Sequence, residues 1–310
     1  MIVDIVIFII SMAALVKGAD FVIDEAEKIA KHFGIPSFII GATVVALGTS
    51  LPEMVASVIA SYKGHTDLAV SNVIGSNIIN LALVLGVVFI IGKKLTPKRD
   101  IFKEDSAWAL FPVLAFLLMA YDEVITRFEG FLFLLMMGAY LIFLKNNAMD
   151  KLDEDDKKDK KEKFDSLKTL TLLTIGFIFV VVGAEFTIES ASNIARNFGV
   201  SEWVIGLLLV SFGTSLPELV VSVAAAKRKD ADMAIGNVIG SNIANFTVVL
   251  GASAVVNPLT LVLKNSMFDI LSALILTVML VFVAVDKLYN RSTGIVFLII
   301  LALVVAHSLG

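Results

Sequence analysis

Apolar residues run through this chain in long blocks, near 2–23, 35–61, 67–92, 106–121 and 128–144. After a charged stretch they resume near 169–195, 202–226, 231–257, 267–285 and 293–308. A bilayer core about 30 Å thick asks for about 20 apolar residues per helical crossing, so the pattern predicts ten transmembrane helices. A β-barrel would show segments of roughly ten residues alternating in polarity, and these blocks are too long and too continuously apolar for that. Backbone in lipid must satisfy its own hydrogen bonds, which leaves helices. The first block is interrupted by Asp4, Lys17 and Asp20 and has no basic leader or small-residue cleavage site before Lys17. It reads as a first span rather than a signal peptide.

Composition agrees. The 310 residues are 58% hydrophobic and 17% charged, with a mean hydropathy of +0.91, where soluble domains run about 45–50% and about 25%. A net charge of −4 disfavours a nucleic-acid partner. The absence of cysteine excludes a disulfide framework, thiolate metal sites and a cysteine nucleophile. Between the fifth and sixth blocks, residues 145–168 hold eight Lys and eight Asp or Glu and read as a solvated linker. It separates a first five-helix repeat, 1–144, from a second, 169–310. Loops after odd-numbered spans carry 20 of the 25 Lys and Arg, which places the linker in the cytoplasm and both termini outside. Without the linker the short loops still divide 12 to 4.

Shifting the chain against itself by 165 residues aligns 16–86 with 181–251 without a gap. GTSLPE at 48–53 meets GTSLPE at 213–218, and NVIGSN at 72–77 meets NVIGSN at 237–242. These strings are among the least apolar parts of their spans, so membrane composition does not supply them. With five spans per half, the second copy enters the membrane from the opposite side. Inverted repeats of this kind are a signature of secondary transporters, whose substrates bind at the midplane between the halves.

The first motif puts Gly48, Pro52 and Glu53 in mid-span. Proline removes a donor and glycine weakens the turn before it, so the helix is expected to break and free carbonyls around Ala46–Thr49. Such carbonyls, with hydroxyls from Thr49 and Ser50, suit a hard cation. Ser50 and Glu53 also fit a capping box. At membrane depth, however, an ionised carboxylate costs about 2.5–3.5 kcal/mol and is functional by default; its repetition as Glu218 favours function. Two facing carboxylates repel, and a divalent cation between them neutralises the pair. Oxygen-only ligands suit Ca²⁺ or Na⁺ rather than zinc or copper. His32, His65 and His307 match neither motif. In the second motif Ser76 and Asn80, with Ser241 and Asn245, share a helix face toward the site, while Gly75 and Gly240 serve packing.

GTSLPE followed by GNVIGSNI-x-N, twice in opposed halves (α-1 motif 35–87, α-2 motif 200–252), resembles the two alpha repeats of the Na⁺/Ca²⁺ exchangers of the Ca²⁺/cation antiporter superfamily. The resemblance covers essentially the whole chain. It implies that Glu53 and Glu218 coordinate Ca²⁺ with the carbonyls of Thr49 and Thr214. The Na⁺ sites would use Ser50, Ser76, Ser215, Ser241 and main-chain oxygens at Ala46 and Ser211. Asn80 and Asn245 would complete the centre, and the first and sixth spans would slide. Some prokaryotic members and the K⁺-dependent exchangers carry Asp where this chain has Asn245, which argues against K⁺ dependence. Ala46 is matched by Ser211, whose hydroxyl could add a ligand to one Na⁺ site.

The expected molecule is thus an all-α polytopic membrane protein of a prokaryotic cell membrane. It exchanges Na⁺ for Ca²⁺ without a cofactor, an obligate protein partner or a catalytic residue. A H⁺/Ca²⁺ antiporter is the nearest rival, although its expected GNxxE-type motif is absent. An ion channel is a rival of another class, and an intramembrane hydrolase using the paired acids is the weakest, lacking a nucleophile.

Overall fold

The computed structural model describes residues 2–152, 165–198 and 211–309. The helices of the first half are α1 (Ile2–Phe33), α2 (Ser37–Thr49), α3 (Leu51–Tyr62), α4 (Thr66–Gly92), α5 (Ile101–Met119) and α6 (Arg127–Leu152). Those of the second are α7 (Ser166–Asn197), α8 (Leu216–Lys227), α9 (Ala231–Val256), α10 (Leu263–Val285) and α11 (Arg291–Leu309), with a helical turn at Ser211–Gly213 before α8. Six of them contain a stretch long and apolar enough to cross a bilayer: α1, α4, α6, α7, α9 and α10. Helices α2 and α3 are together long and apolar enough for a further crossing and are bent by 47° between them. α5 carries Lys103, Glu104 and Asp105 near its start, and the apolar part of α11 is shorter. Most of the apolar block leading into α8, residues 202–210, lies outside the described residues, as do positions 200–210 of the α-2 motif.

Several boundaries differ from the hydropathy pattern for physical reasons. α1 continues ten residues past its apolar block because its last turns are stitched by Lys28–Glu25 and Lys31–Glu27 pairs. It stops at Gly34, whose φ of +64° is left-handed. The charged segment 145–168 is not wholly irregular. α6 runs into it as far as Leu152, and α7 starts inside it behind Asp165, whose side chain accepts from Lys168 N–H. Residues 153–164 lie outside the described residues.

The repeat is visible in the backbone. α3 and α8 superpose in sequence at the 165-residue offset, and so do π-helical turns at Asn80–Leu85 in α4 and Asn245–Val249 in α9. α4 and α9 are the most buried spans. α1 and α7 lie along one another at the periphery, brought close by Gly18 against Gly176 and by Gly183 against the backbone of Ser11 and Leu15. Gly240 lies against the Ala42 carbonyl and Gly236 against that of Phe38, so α9 meets α2 backbone to backbone. Gly75, expected to pack likewise, has nothing within 4 Å of its would-be Cβ among the described residues. The counterpart of Ala42 is residue 207, outside them.

Contacts between loops sort them into two faces. On one, Lys98 N–H and Arg99 N–H donate to the Asp232 carboxylate, and Lys94 pairs with Asn290. On the other, a two-residue strand β1 (Val124–Ile125) pairs antiparallel with β2 (Leu259–Thr260), and Thr66 bonds Thr260. Every one of these contacts joins two loops of the same parity in the ten-span reading.

Candidate ion-binding site

The break between α2 and α3 is made by Ser50, with φ −83° and ψ 8°; in the second half Ser215, with φ −87° and ψ 7°, does the same before α8. Pro52 and Pro217 stand at the start of the following helices, where a missing N–H is tolerated. Pro52 therefore has no N–H for the Gly48 carbonyl. The Ala46 carbonyl is less free than expected: Ser50 N–H donates to it at 3.0 Å. It also accepts from the Thr49 hydroxyl at 3.3 Å and the Ser241 hydroxyl at 3.5 Å.

The capping-box reading of Ser50 fails. Neither Ser50 nor Ser215 caps its helix through its side chain. Instead each hydroxyl crosses to the other repeat. Ser50 Oγ donates to Glu218 Oε1 at 2.9 Å, and Ser215 Oγ donates to Glu53 Oε1 at 3.5 Å. Ser241 Oγ reaches the same Glu218 oxygen at 3.5 Å. Both carboxylates are fully buried, and the second oxygen of each, Oε2, has no hydrogen-bond partner.

Asn80 and Asn245 open two of the three π-helical turns among the described residues (the third is Gly41–Val45) and are fully buried, and all four of their amide oxygens and nitrogens lack partners. A buried polar atom without a partner costs about 1–3 kcal/mol. π-turns concentrate at functional sites. The described residues hold no group of three or more His, Cys, Asp and Glu suited to a metal. The donors on offer are carboxylate, amide and hydroxyl oxygens, the chemistry of Ca²⁺ and Na⁺.

The remaining sequence-derived residues fall unevenly. Thr49 is buried, its hydroxyl 3.4 Å from Asn237 Oδ1, while Thr214 is half-buried. Ser76 is buried one turn before Asn80 but makes no hydrogen bond to either carboxylate, unlike Ser241. Ser211 begins the helical turn before α8; its side chain lies outside the described residues.

Sequence reasoning gave no role to a supporting pair that the repeat carries twice. Asn72 Nδ2 donates to Ser57 Oγ at 2.8 Å and to the Glu53 carbonyl at 3.4 Å; Asn237 Nδ2 donates to Ser222 Oγ at 2.9 Å. These bonds tie each Glu-bearing helix to the neighbouring central span. The signal for them was present, since Ser57, Ser222, Asn72 and Asn237 all obey the 165-residue offset.

Comparison with known proteins agrees with this geometry. A family model described as sodium/calcium exchanger protein matches residues 3–145 and 168–310. The sodium/calcium exchanger MaX1 of Methanosarcina acetivorans is 36% identical over 336 residues, covering 96% of this chain and 95% of that protein. An uncharacterised membrane protein of Methanocaldococcus jannaschii, MJ0091, is also 36% identical and covers 96% of each chain. A structure of the sodium-calcium exchanger NCX_Mj soaked with Na⁺ and Sr²⁺ is similar with a TM-score of 0.84 at 34% identity, covering 99% of this chain and 98% of that one.

Proposed function

The chain belongs to the sodium/calcium exchanger family, and from that premise we infer a multi-pass membrane antiporter that exchanges Na⁺ for Ca²⁺ by alternating access. The observation that carries the reading to this chain's own residues is the crossed pairing of Ser50 with Glu218 and Ser215 with Glu53. Each carboxylate is held by the opposite repeat, so relative motion of the halves remakes the site, and each keeps one oxygen for a ligand.

In this reading Glu53 and Glu218 bind Ca²⁺ with the carbonyls of Thr49 and Thr214, and the two carboxylates neutralise one divalent ion. Ser50, Ser76, Ser215, Ser241 and the main-chain oxygens of Ala46 and Ser211 serve Na⁺. The paired amides of Asn80 and Asn245 supply neutral oxygens at the centre. Amides bring no proton to exchange, and two of the relatives named above, MaX1 and NCX_Mj, are sodium/calcium exchangers, so the H⁺-coupled alternative is not favoured. The ions are substrates and no cofactor is invoked. Residues 1–144 and 169–310 act as the two repeats, joined by 145–168 on the cytoplasmic side of a prokaryotic cell membrane with both termini outside.

Calcium uptake into reconstituted vesicles tests this directly. Uptake is expected with an outward Na⁺ gradient and not with an H⁺ gradient alone; uptake that follows only H⁺ would overturn the Na⁺ assignment. Unitary currents without a counter-ion requirement would replace the antiporter by a channel.

A further inference from the structure

Arg228, in the turn between α8 and α9, reaches across to the first repeat. Its Nη2 donates to Asp20 Oδ1 at 2.7 Å and its Nη1 to Asp24. Asp20 and Asp24 stand about one turn apart on α1, so one guanidinium spans both. The 165-residue offset maps this trio onto Lys63, Glu185 and Glu189, and every charge is kept. Lys63 occupies the turn between α3 and α4, and the two glutamates stand a turn apart on α7. Because the repeats are inverted, the second trio belongs to the opposite face.

The symmetry of sequence is not matched by symmetry of contact. Lys63, Glu185 and Glu189 are exposed and form no ion pair among the described residues. The helices differ in the same sense: α1 packs along α8, whereas α7 has no comparable packing along α3. One trio is closed and its mate is open. An exposed ion pair adds little to stability, so a structural role explains poorly why the trio occurs twice. A modest bias on a conformational balance is within its reach.

We propose that the two trios are alternating charge latches of the exchange cycle. Arg228 clasping Asp20 and Asp24 holds the linker-side face shut. In the reverse conformation Arg228 releases, and Lys63 engages Glu185 and Glu189 to shut the other. This rests on the antiport reading above and adds to it the positioning residues that set which face is open. The coupling is mechanical. α1 and α7 are packed together along glycines at 18, 176 and 183, and Thr187 Oγ1 donates to Ser11 Oγ at 2.9 Å. A shift that carries the aspartates away from Arg228 therefore carries the glutamates with it, and a slide of one helical turn is about 5.4 Å.

The full chain contains no cysteine, which makes engineered thiols specific. In vesicles, D24C/R228C and K63C/E189C are each joined by a reversible bifunctional thiol reagent of about the reach of an arginine side chain. Each bridge is expected to arrest movement until released, and a molecule carrying all four cysteines is expected to close either bridge but never both. Closure of both in one molecule overturns the proposal, as does failure of K63C/E189C to close under any Na⁺ or Ca²⁺ condition. Without cross-links, R228Q should raise, and K63Q lower, the apparent Ca²⁺ affinity at the linker-side face relative to the other, each roughly three- to ten-fold. The exchange R228D/D24R should restore it. Shifts of the same sign, or none, overturn the latch. Mutually exclusive bridges in a protein that shows no Na⁺-driven Ca²⁺ uptake would leave the latch standing and remove the ion assignment.

Discussion

Ser50 shows how much one residue can decide. Its spacing to Glu53 is that of a capping box, yet its hydroxyl donates to Glu218 across the repeat interface. The reason is positional: with Pro52 at the start of α3, one of the N–H groups a cap would serve is missing. Glu53 and Glu218 could be singled out from sequence because each stands in an identical motif at membrane depth. The crossing of their partners could not, since no local pattern says which half a hydroxyl faces. Glu53→Gln and Glu218→Gln are expected to abolish exchange in vesicles while the protein still inserts; transport retained in either variant removes that residue from the site. Ser50→Ala, which removes a donor and leaves the charge, is expected to weaken apparent Ca²⁺ affinity with little change in thermal stability. Asn245→Asp adds a third acid to the proposed site, where like charges at close range disfavour ionisation. Transport by this variant is expected to become pH-dependent or altered in selectivity. An unchanged pH profile and selectivity would place Asn245 outside the site.

Among the elements, the spans were legible because their apolar blocks match a bilayer, and the break in α2–α3 because glycine and proline announce it. The π-helical turns at Asn80–Leu85 and Asn245–Val249 were not. They contain no breaker residue, and what they offer in exchange for poorer hydrogen bonding lies in tertiary packing around buried amides. The glycines divide in the same way. A Cβ at Gly240 would stand 2.3 Å from the Ala42 carbonyl oxygen, and one at Gly48 would stand 2.2 Å from the Phe177 ring. The first obstacle is backbone and cannot step aside, whereas a ring can rotate. Gly240→Ala is therefore expected to lower the melting temperature and the yield of folded protein, by about 1–3 kcal/mol or more as for other overpacked cores. Gly48→Ala should cost less. Equal stability of Gly240→Ala and the parent chain would show that α2 and α9 do not need so close an approach.

For the whole molecule, an odd number of spans in each half made inversion of the repeat a necessity, and the contacts between loops supply independent support. Lys98 and Arg99 meet Asp232, and Lys94 meets Asn290, on one face. Thr66 meets Thr260 on the other. The first face collects most of the basic residues of the short loops, including Lys93, Lys94, Lys98, Lys227, Lys229, Lys287 and Arg291. Which trio is engaged was beyond the sequence, because the charged trios are present on both faces and only their contacts differ. The proposed direction of insertion rests on the basic residues alone, since loop lysines and arginines resist translocation. Single cysteines placed at Lys98 and Lys287 are accordingly expected to react with an impermeant maleimide only after the cells are opened. Cysteines at Arg127 and Lys264 should react in intact cells. Labelling of all four in intact cells would contradict the sorting of loops into two faces, whereas a clean reversal would keep the fold and invert its orientation. In that reversed case the latch closed by Arg228 would guard the outside, and the affinity shifts expected for R228Q and K63Q would exchange sides of the membrane without changing their opposition.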